Sequence, residues 1–230
     1  VFSVQRRGSR VTLRGPEGRY SVYDPERVFT GMGWDAQSAS AILLGAAPRT
    51  ALLLGYGGGT AARQLRLLFP GVRLTGVEID PRIAELAAQH FSAAAIGATV
   101  VTGCGERFIR ASRRRYDFIL DDMWDHEQQR RRAIISDRRW LDAVLPRLTR
   151  RGVYAANVYT RSAAPAEYDF ALAEMRCHFA AVTRVAVPQE RVCVLAGLRQ
   201  PASDALVGGL LSPMPVAILR ALGEIEFTSC

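Results

Sequence analysis

The spacing of apolar positions changes along the chain, and each change predicts an element. Up to residue 30, Phe2–Gln5, Arg10–Leu13 and Tyr20–Tyr23 alternate apolar and polar positions over short runs. They are separated by Arg7-Gly8-Ser9 and Gly15-Pro16-Glu17-Gly18, so this stretch reads as short strands and turns. Residues 35–46 read as a helix ending near Pro48. From there strands and helices take turns. Ala51–Leu54 is a buried strand, Gly55–Gly59 a glycine turn, and Thr60–Phe69 a helix stopped by Pro70-Gly71. Arg73–Val77 is the second strand of this series, and Pro81–Phe91 is a helix with proline in its first turn. Thr99–Thr102 and Phe118–Leu120 continue the strands, with a short helix over Glu106–Ser112 between them. Helix Trp140–Leu148, strand Gly152–Asn157 and helix Ala166–Phe179 follow. Val182–Val187 and Val192–Leu198 then bracket Pro188-Gln189-Glu190 as a hairpin.

Strands and helices that alternate across short loops predict a parallel sheet with helices on both faces. The fold class is α/β: a Rossmann-like, doubly wound, mostly parallel seven-stranded sheet with a short N-terminal β extension. Residues 1–30 form the extension, 31–200 the nucleoside-binding unit, and 201–230 a helical tail without readable chemistry.

Composition narrows the chemistry. The 230 residues carry 30 basic side chains against 22 acidic ones, for a net charge of +8. Every basic residue is arginine, which excludes a lysine Schiff base, a pyridoxal-phosphate anchor and a P-loop lysine. The arginines cluster at Arg113–Arg115, Arg130–Arg132 and Arg150-Arg151 without interleaved aromatics, so they read as a solvated basic surface rather than a nucleic-acid face. No apolar run approaches the roughly 18 residues of a membrane span. Cys104, Cys177, Cys193 and Cys230 are scattered, with no metal-ligand spacing and no disulfide framework. A reduced, cytoplasmic protein that binds no metal is the expectation.

The sharpest local signal is Leu54-Gly55-Tyr56-Gly57-Gly58-Gly59-Thr60, a glycine turn between a strand and a helix. Glycines there permit positive φ and let a ligand approach the backbone. At the end of the next strand stands Glu78, in Val77-Glu78-Ile79-Asp80-Pro81, where an acid can accept both hydroxyls of a ribose. The turn departs from the G-x-G-x-x-G dinucleotide spacing and suits a nucleoside with a short charged tail.

Together with Gly103-Cys104-Gly105-Glu106-Arg107-Phe108 and Tyr116–Asp125, these motifs resemble the spermidine synthase family of the class I methyltransferase-like fold. The resemblance covers about residues 30–160. It implies that Gly55, Gly57 and Gly59 line the methionine-derived tail of the nucleoside and that Glu78 holds the ribose. Ile79 would flank the adenine, and the turn with Cys104 and Gly105 would face its edge. It also implies that Asp122 deprotonates the attacking amine, with Asp125 completing a D-x-x-D pattern. Relatives of this kind often dimerise, so a homodimer is the implied oligomeric state. Two departures stand out. Gly57 replaces an aspartate that pairs with the amine of decarboxylated S-adenosylmethionine, which makes room for an intact methionine carboxylate. Cys104 replaces the adenine-facing aspartate.

Asp121, Asp122 and Asp125 fall at the carboxyl end of a strand, the edge where open parallel sheets bind ligands. Alternation points only one of Asp121 and Asp122 into the crevice, and the family register selects Asp122. Trp124, His126 and Tyr159 are further candidates for the acceptor pocket. Glu78, Asp80, Asp121, Asp122 and Asp125 are expected to gather along one edge, an acidic pocket suited to a small cationic amine. The leading expectation is a transferase, most simply a methyltransferase, that uses S-adenosylmethionine and a small amine-bearing acceptor. One alternative is an aminopropyltransferase using decarboxylated S-adenosylmethionine. Another is a non-catalytic nucleoside- or partner-binding protein.

Overall fold

In a computed structural model, residues 2–16, 18–125, 130–131 and 137–230 are described, with backbone alone at 93, 124, 125, 130 and 131. Strands β1 (Ser3–Arg7), β2 (Arg10–Gly15) and β3 (Gly18–Tyr23) form a three-stranded antiparallel sheet. Helix α1 (Gly33–Ala39) runs into a 3-10 turn at Ser40–Leu44. Next come β4 (Thr50–Leu54), α2 (Thr60–Leu68), β5 (Arg73–Glu78), α3 (Pro81–His90), α4 (Ala93–Ile96), β6 (Ala98–Thr102), α5 (Gly105–Ala111) and β7 (Tyr116–Asp121). Two-residue strands β8 (Trp124–Asp125) and β9 (Arg130–Arg131) pair antiparallel. The chain continues through α6 (Arg138–Val144), β10 (Leu148–Tyr159), α7 (Pro165–His178), β11 (Ala181–Ala186) and β12 (Val192–Leu198). It ends with α8 (Asp204–Leu211), α9 (Val216–Leu222) and β13 (Glu226–Ser229).

Among the described residues the main sheet runs β13-β11-β12-β10-β7-β4-β5-β6. The strands from β10 to β6 pair in parallel, and β12 runs antiparallel between β10 and β11. The sheet thus has the doubly wound, mostly parallel build, with one strand more than the seven expected. That eighth strand comes from the tail read as helical. Glu226–Ser229 pairs antiparallel with Thr183–Ala186 and supplies hydrogen-bond partners along an otherwise open edge. Its alternating Phe227 and Thr228 favour extended backbone more than the sequence reading credited.

The central strands read as unbroken apolar runs because both faces are covered. Leu53, Phe118, Leu120, Val153 and Ala155 face one core, which includes Ala36 and Ala39 of α1 and Leu65 of α2. Leu52, Leu54, Ile119, Tyr154 and Ala156 face the other, with Trp140 and Leu141 of α6 and Met175 of α7. Neighbouring positions on a strand therefore report to different layers. Among the described residues no helix is long and apolar enough to cross a membrane.

Candidate active site

The glycine turn leaves β4 at the carboxyl edge of the sheet, flanked by β5 and β7. Gly55, Gly57 and Gly59 have φ of 84°, 56° and 80°, backbone that side chains with a Cβ rarely adopt. Space is short as well. A Cβ on Gly55 would lie 2.2 Å from the Asp122 carbonyl oxygen, and one on Gly57 would lie 2.9 Å from Ser21 Oγ. The β1–β3 sheet is docked on this turn. Gly58 N–H donates to Ser21 Oγ at 2.6 Å, and Thr60 Oγ1 bonds both the N–H and the carbonyl of Val22 at 2.9 Å. The missing side chain at Gly57 therefore does not simply leave room, since Ser21 and the Tyr20 carbonyl close that side.

The amides of the turn are all committed within the protein. Gly55 and Tyr56 donate to the Val77 carbonyl, Gly57 to Glu78 Oε2 at 2.8 Å, Gly58 to Ser21, and Gly59 to the Tyr56 carbonyl. Tyr56 itself folds inward against Gly76. Its hydroxyl is buried without a partner among the described residues, and burial pushes its pKa up to about 12.

Glu78 ends β5 and is 4% exposed. One carboxylate oxygen accepts from Gly57 N–H and the other from Asp80 N–H at 3.1 Å, so each oxygen retains a lone pair for a ligand hydroxyl. Burial pushes its pKa up, the backbone N–H groups of Asp80, Gly57 and Ile79 pull it back, and the charge of Asp80 adds a smaller upward push. Beside it Ile79 stands 57% exposed, an apolar side chain open to cover by a flat ring. The Glu78 carbonyl accepts from Gly103 N–H at 2.8 Å, which ties the Gly103-Cys104-Gly105 turn to the same edge. Cys104 is partly buried and precedes α5 without a side-chain cap bond. Gly105 is buried with Met123 against it.

Asp80 does not join the pocket. It caps α3 through Arg82 N–H at 2.8 Å and pairs with the Arg82 guanidinium at 2.6 Å, which holds its pKa below the usual carboxylate value. Asp121 also leaves it. Its position matches Ile119, two residues back, and its fully buried carboxylate accepts from Trp140 Nε1 at 2.7 Å and Tyr154 Oη at 2.8 Å. Asp122 matches Leu120 instead and faces the α1 layer. There Oδ2 accepts from Gln37 Nε2 at 2.9 Å and Oδ1 from Asn157 Nδ2 at 2.6 Å. The backbone of Asp125 lies in β8 opposite Arg130; the side chains of Asp125 and Trp124, and all of His126, fall outside the described residues. Tyr159 ends β10, opposite Val192 of β12.

Three residues at this site escaped the sequence reading: Ser21, Gln37 and Asn157. Asn157 ends a predicted strand at the carboxyl edge, so the strand-end rule was able to find it. Gln37 and Ser21 carry no motif. A cavity of about 580 Å³ lies beside α7, lined by Tyr168, Arg176 and Arg184, and shares no residue with the glycine turn. The two carboxylates that flank the turn, Glu78 on β5 and Asp122 after β7, suit a ligand rich in donors and positive charge.

No family model matches the chain. It is 39% identical over 107 residues to "Probable polyamine aminopropyl transferase" of Bifidobacterium longum, a match over 46% of this chain and 24% of that protein. With "Polyamine aminopropyltransferase" of Corynebacterium efficiens the identity is 36% over 132 residues, 50% of this chain and 24% of the relative. The matches thus span about a quarter of the length of these relatives. Among solved structures, a probable spermidine synthase from Corynebacterium glutamicum superposes with a TM-score of 0.77 at 17% identity, over 99% of this chain and 87% of that one. Human methyltransferase-like protein 13, solved in complex with SAH, gives 0.61 at 23% identity, over 83% and 89%. The chain therefore shares the fold of these spermidine synthase and methyltransferase structures, and over about half of its length it is similar in sequence to polyamine aminopropyltransferases.

Proposed function

We propose that the chain transfers an aminopropyl group from decarboxylated S-adenosylmethionine to a small amine. One observation carries the choice of donor: the amides of Gly55 to Gly59 are all spent inside the protein. A methionine carboxylate laid on this turn finds no free backbone donor. The acid nearest the turn, Glu78, repels it, and the charge acting on Glu78 is itself negative. A tail that ends in a bare ammonium meets acceptors instead. The likeness to polyamine aminopropyltransferases supports the same reading.

In this reading Glu78 accepts the ribose hydroxyls, and Ile79, Cys104 and Gly105 border the adenine. Gly55, Gly57 and Gly59 let the sulfonium tail approach the backbone. Asp122, with Asp125, receives the acceptor amine. The amine lone pair attacks the sulfonium-bound methylene, a C–N bond forms, and the C–S bond breaks with its electron pair going to sulfur. The thioether nucleoside leaves, and the surplus amine proton passes to Asp122. Alignment of the lone pair opposite the leaving sulfur supplies much of the rate.

A second reading, methyl transfer from S-adenosylmethionine, is favoured by the lack of a carboxylate side chain at Gly57. Calorimetric titration separates the two. Decarboxylated S-adenosylmethionine is expected to bind at least about tenfold more tightly than S-adenosylmethionine, since the lost carboxylate contact and the repulsion together exceed 1.4 kcal/mol. Tighter binding of the intact nucleoside would overturn aminopropyl transfer.

A further inference from the structure

Among the described residues, the Gln37 amide is bonded at one end only. Its Nε2 donates to Asp122 Oδ2 at 2.9 Å across 85 positions of sequence. The side chain is almost wholly buried, 2% exposed, and its Oε1 has no hydrogen-bond partner among the described residues. Buried amide carbonyls in native proteins are nearly always bonded, so an orphan next to a candidate site points to a donor that arrives with a ligand. The orientation of the amide is imposed by its neighbour. An ionised carboxylate only accepts, so Nε2 must face Asp122, and Oε1 is left pointing elsewhere.

Oε1 and Nε2 share one planar amide, so the orphan oxygen stands at the same side-chain end as the nitrogen that bonds Asp122. A ligand nitrogen placed between them would give one N–H to Asp122 and another to Gln37. A primary ammonium carries three N–H donors and meets both demands, whereas an alcohol carries one and leaves an acceptor bare. We infer that Gln37 Oε1 and Asp122 form a two-acceptor seat for a primary amine, which makes Gln37 a specificity-determining residue of the acceptor site. Asn157 holds Asp122 from the other side at 2.6 Å and keeps the seat in place. The inference rests on the aminopropyl-transfer reading, in which an amine is the acceptor.

The test is steady-state kinetics of the full chain with decarboxylated S-adenosylmethionine and 1,4-diaminobutane, alongside calorimetry of the nucleoside alone. In Gln37→Leu, KM for the diamine is expected to rise between about tenfold and a hundredfold, the range for a hydrogen bond to a charged group. Nucleoside affinity stays within about twofold. If Gln37→Leu does not fold, Gln37→Met, of matched length, is read the same way. An unchanged diamine KM in a folded Gln37 variant overturns the seat and leaves aminopropyl transfer standing. A wild-type chain that binds the nucleoside and transfers to no amine overturns both.

Discussion

At the scale of single residues, burial decides what the acids of this site do. Glu78 sits in low dielectric with a raised pKa. A carboxyl that is harder to ionise folded than unfolded costs stability as pH rises. The loss begins in the ordinary glutamate range and is complete once pH passes Glu78's own raised value. Asp80 acts in the opposite sense and in a lower window: its depressed pKa gives stability that is lost as pH falls through that value, an effect weakened by the exposure of Arg82. Glu78→Gln is therefore expected to be as stable as the wild type near pH 4 and more stable at pH 8, while nucleoside affinity falls. Urea unfolding across that range checks it; a variant less stable at pH 8 contradicts the sign.

Asp121 and Asp122 show why adjacent identical residues have different chemistry. Strand alternation sends Asp121 to Trp140 and Tyr154, and Asp122 to Gln37 and Asn157. The alternation was legible in the sequence. The partners were not. A glutamine within a short alanine- and serine-rich helix gives no sign of reaching a strand end 85 positions later. Asp80 misled for a related reason, because helix capping and binding both favour an acid after a strand, and only the placement of Arg82 separates them.

At the scale of elements, the unexpected pairing is that of β3 with the glycine turn. The N-terminal strands were readable from their turns, but what they pack against was not. Ser21 is 1% exposed and accepts the Gly58 N–H, and Thr60 clasps Val22. Ser21→Ala leaves a buried amide without its acceptor, so a loss of about 1–3 kcal/mol is expected in denaturant unfolding. A loss below about 0.5 kcal/mol means that the strand is not held by this bond. The eighth strand teaches the same lesson. Glu226–Ser229 is too short to announce itself by pattern, and the open edge of β11 is what makes it extended.

At the scale of the whole molecule, charge acts in two directions. The chain carries +8 overall, yet the proposed acceptor meets Asp122 and Glu78. A diamine approaching from solution feels the repulsive net charge first, and the local acids only on arrival. Salt shortens the Debye length from about 30 Å at 0.01 M to about 8 Å at 0.15 M and screens the distant repulsion more than the contact. KM for a diamine is accordingly expected to fall as ionic strength rises over that range. A KM that climbs instead places the acidic site, not the basic surface, in control at long range.

The alternation of strands and helices between β4 and β12, the glycine turn, Glu78 at the next strand end and the aspartates after β7 are local features. Residue spacing and backbone geometry determine them, so the amino-acid sequence alone was enough to read them. Tertiary structure decided what each polar group meets. Ser21 spends the Gly58 amide, Arg82 withdraws Asp80, Trp140 and Tyr154 withdraw Asp121, and Gln37 and Asn157 hold Asp122. Many of these partners lie tens of positions apart in the chain and belong to different elements. Packing the two layers against the sheet is what brings them within hydrogen-bond reach, and no local pattern records that encounter.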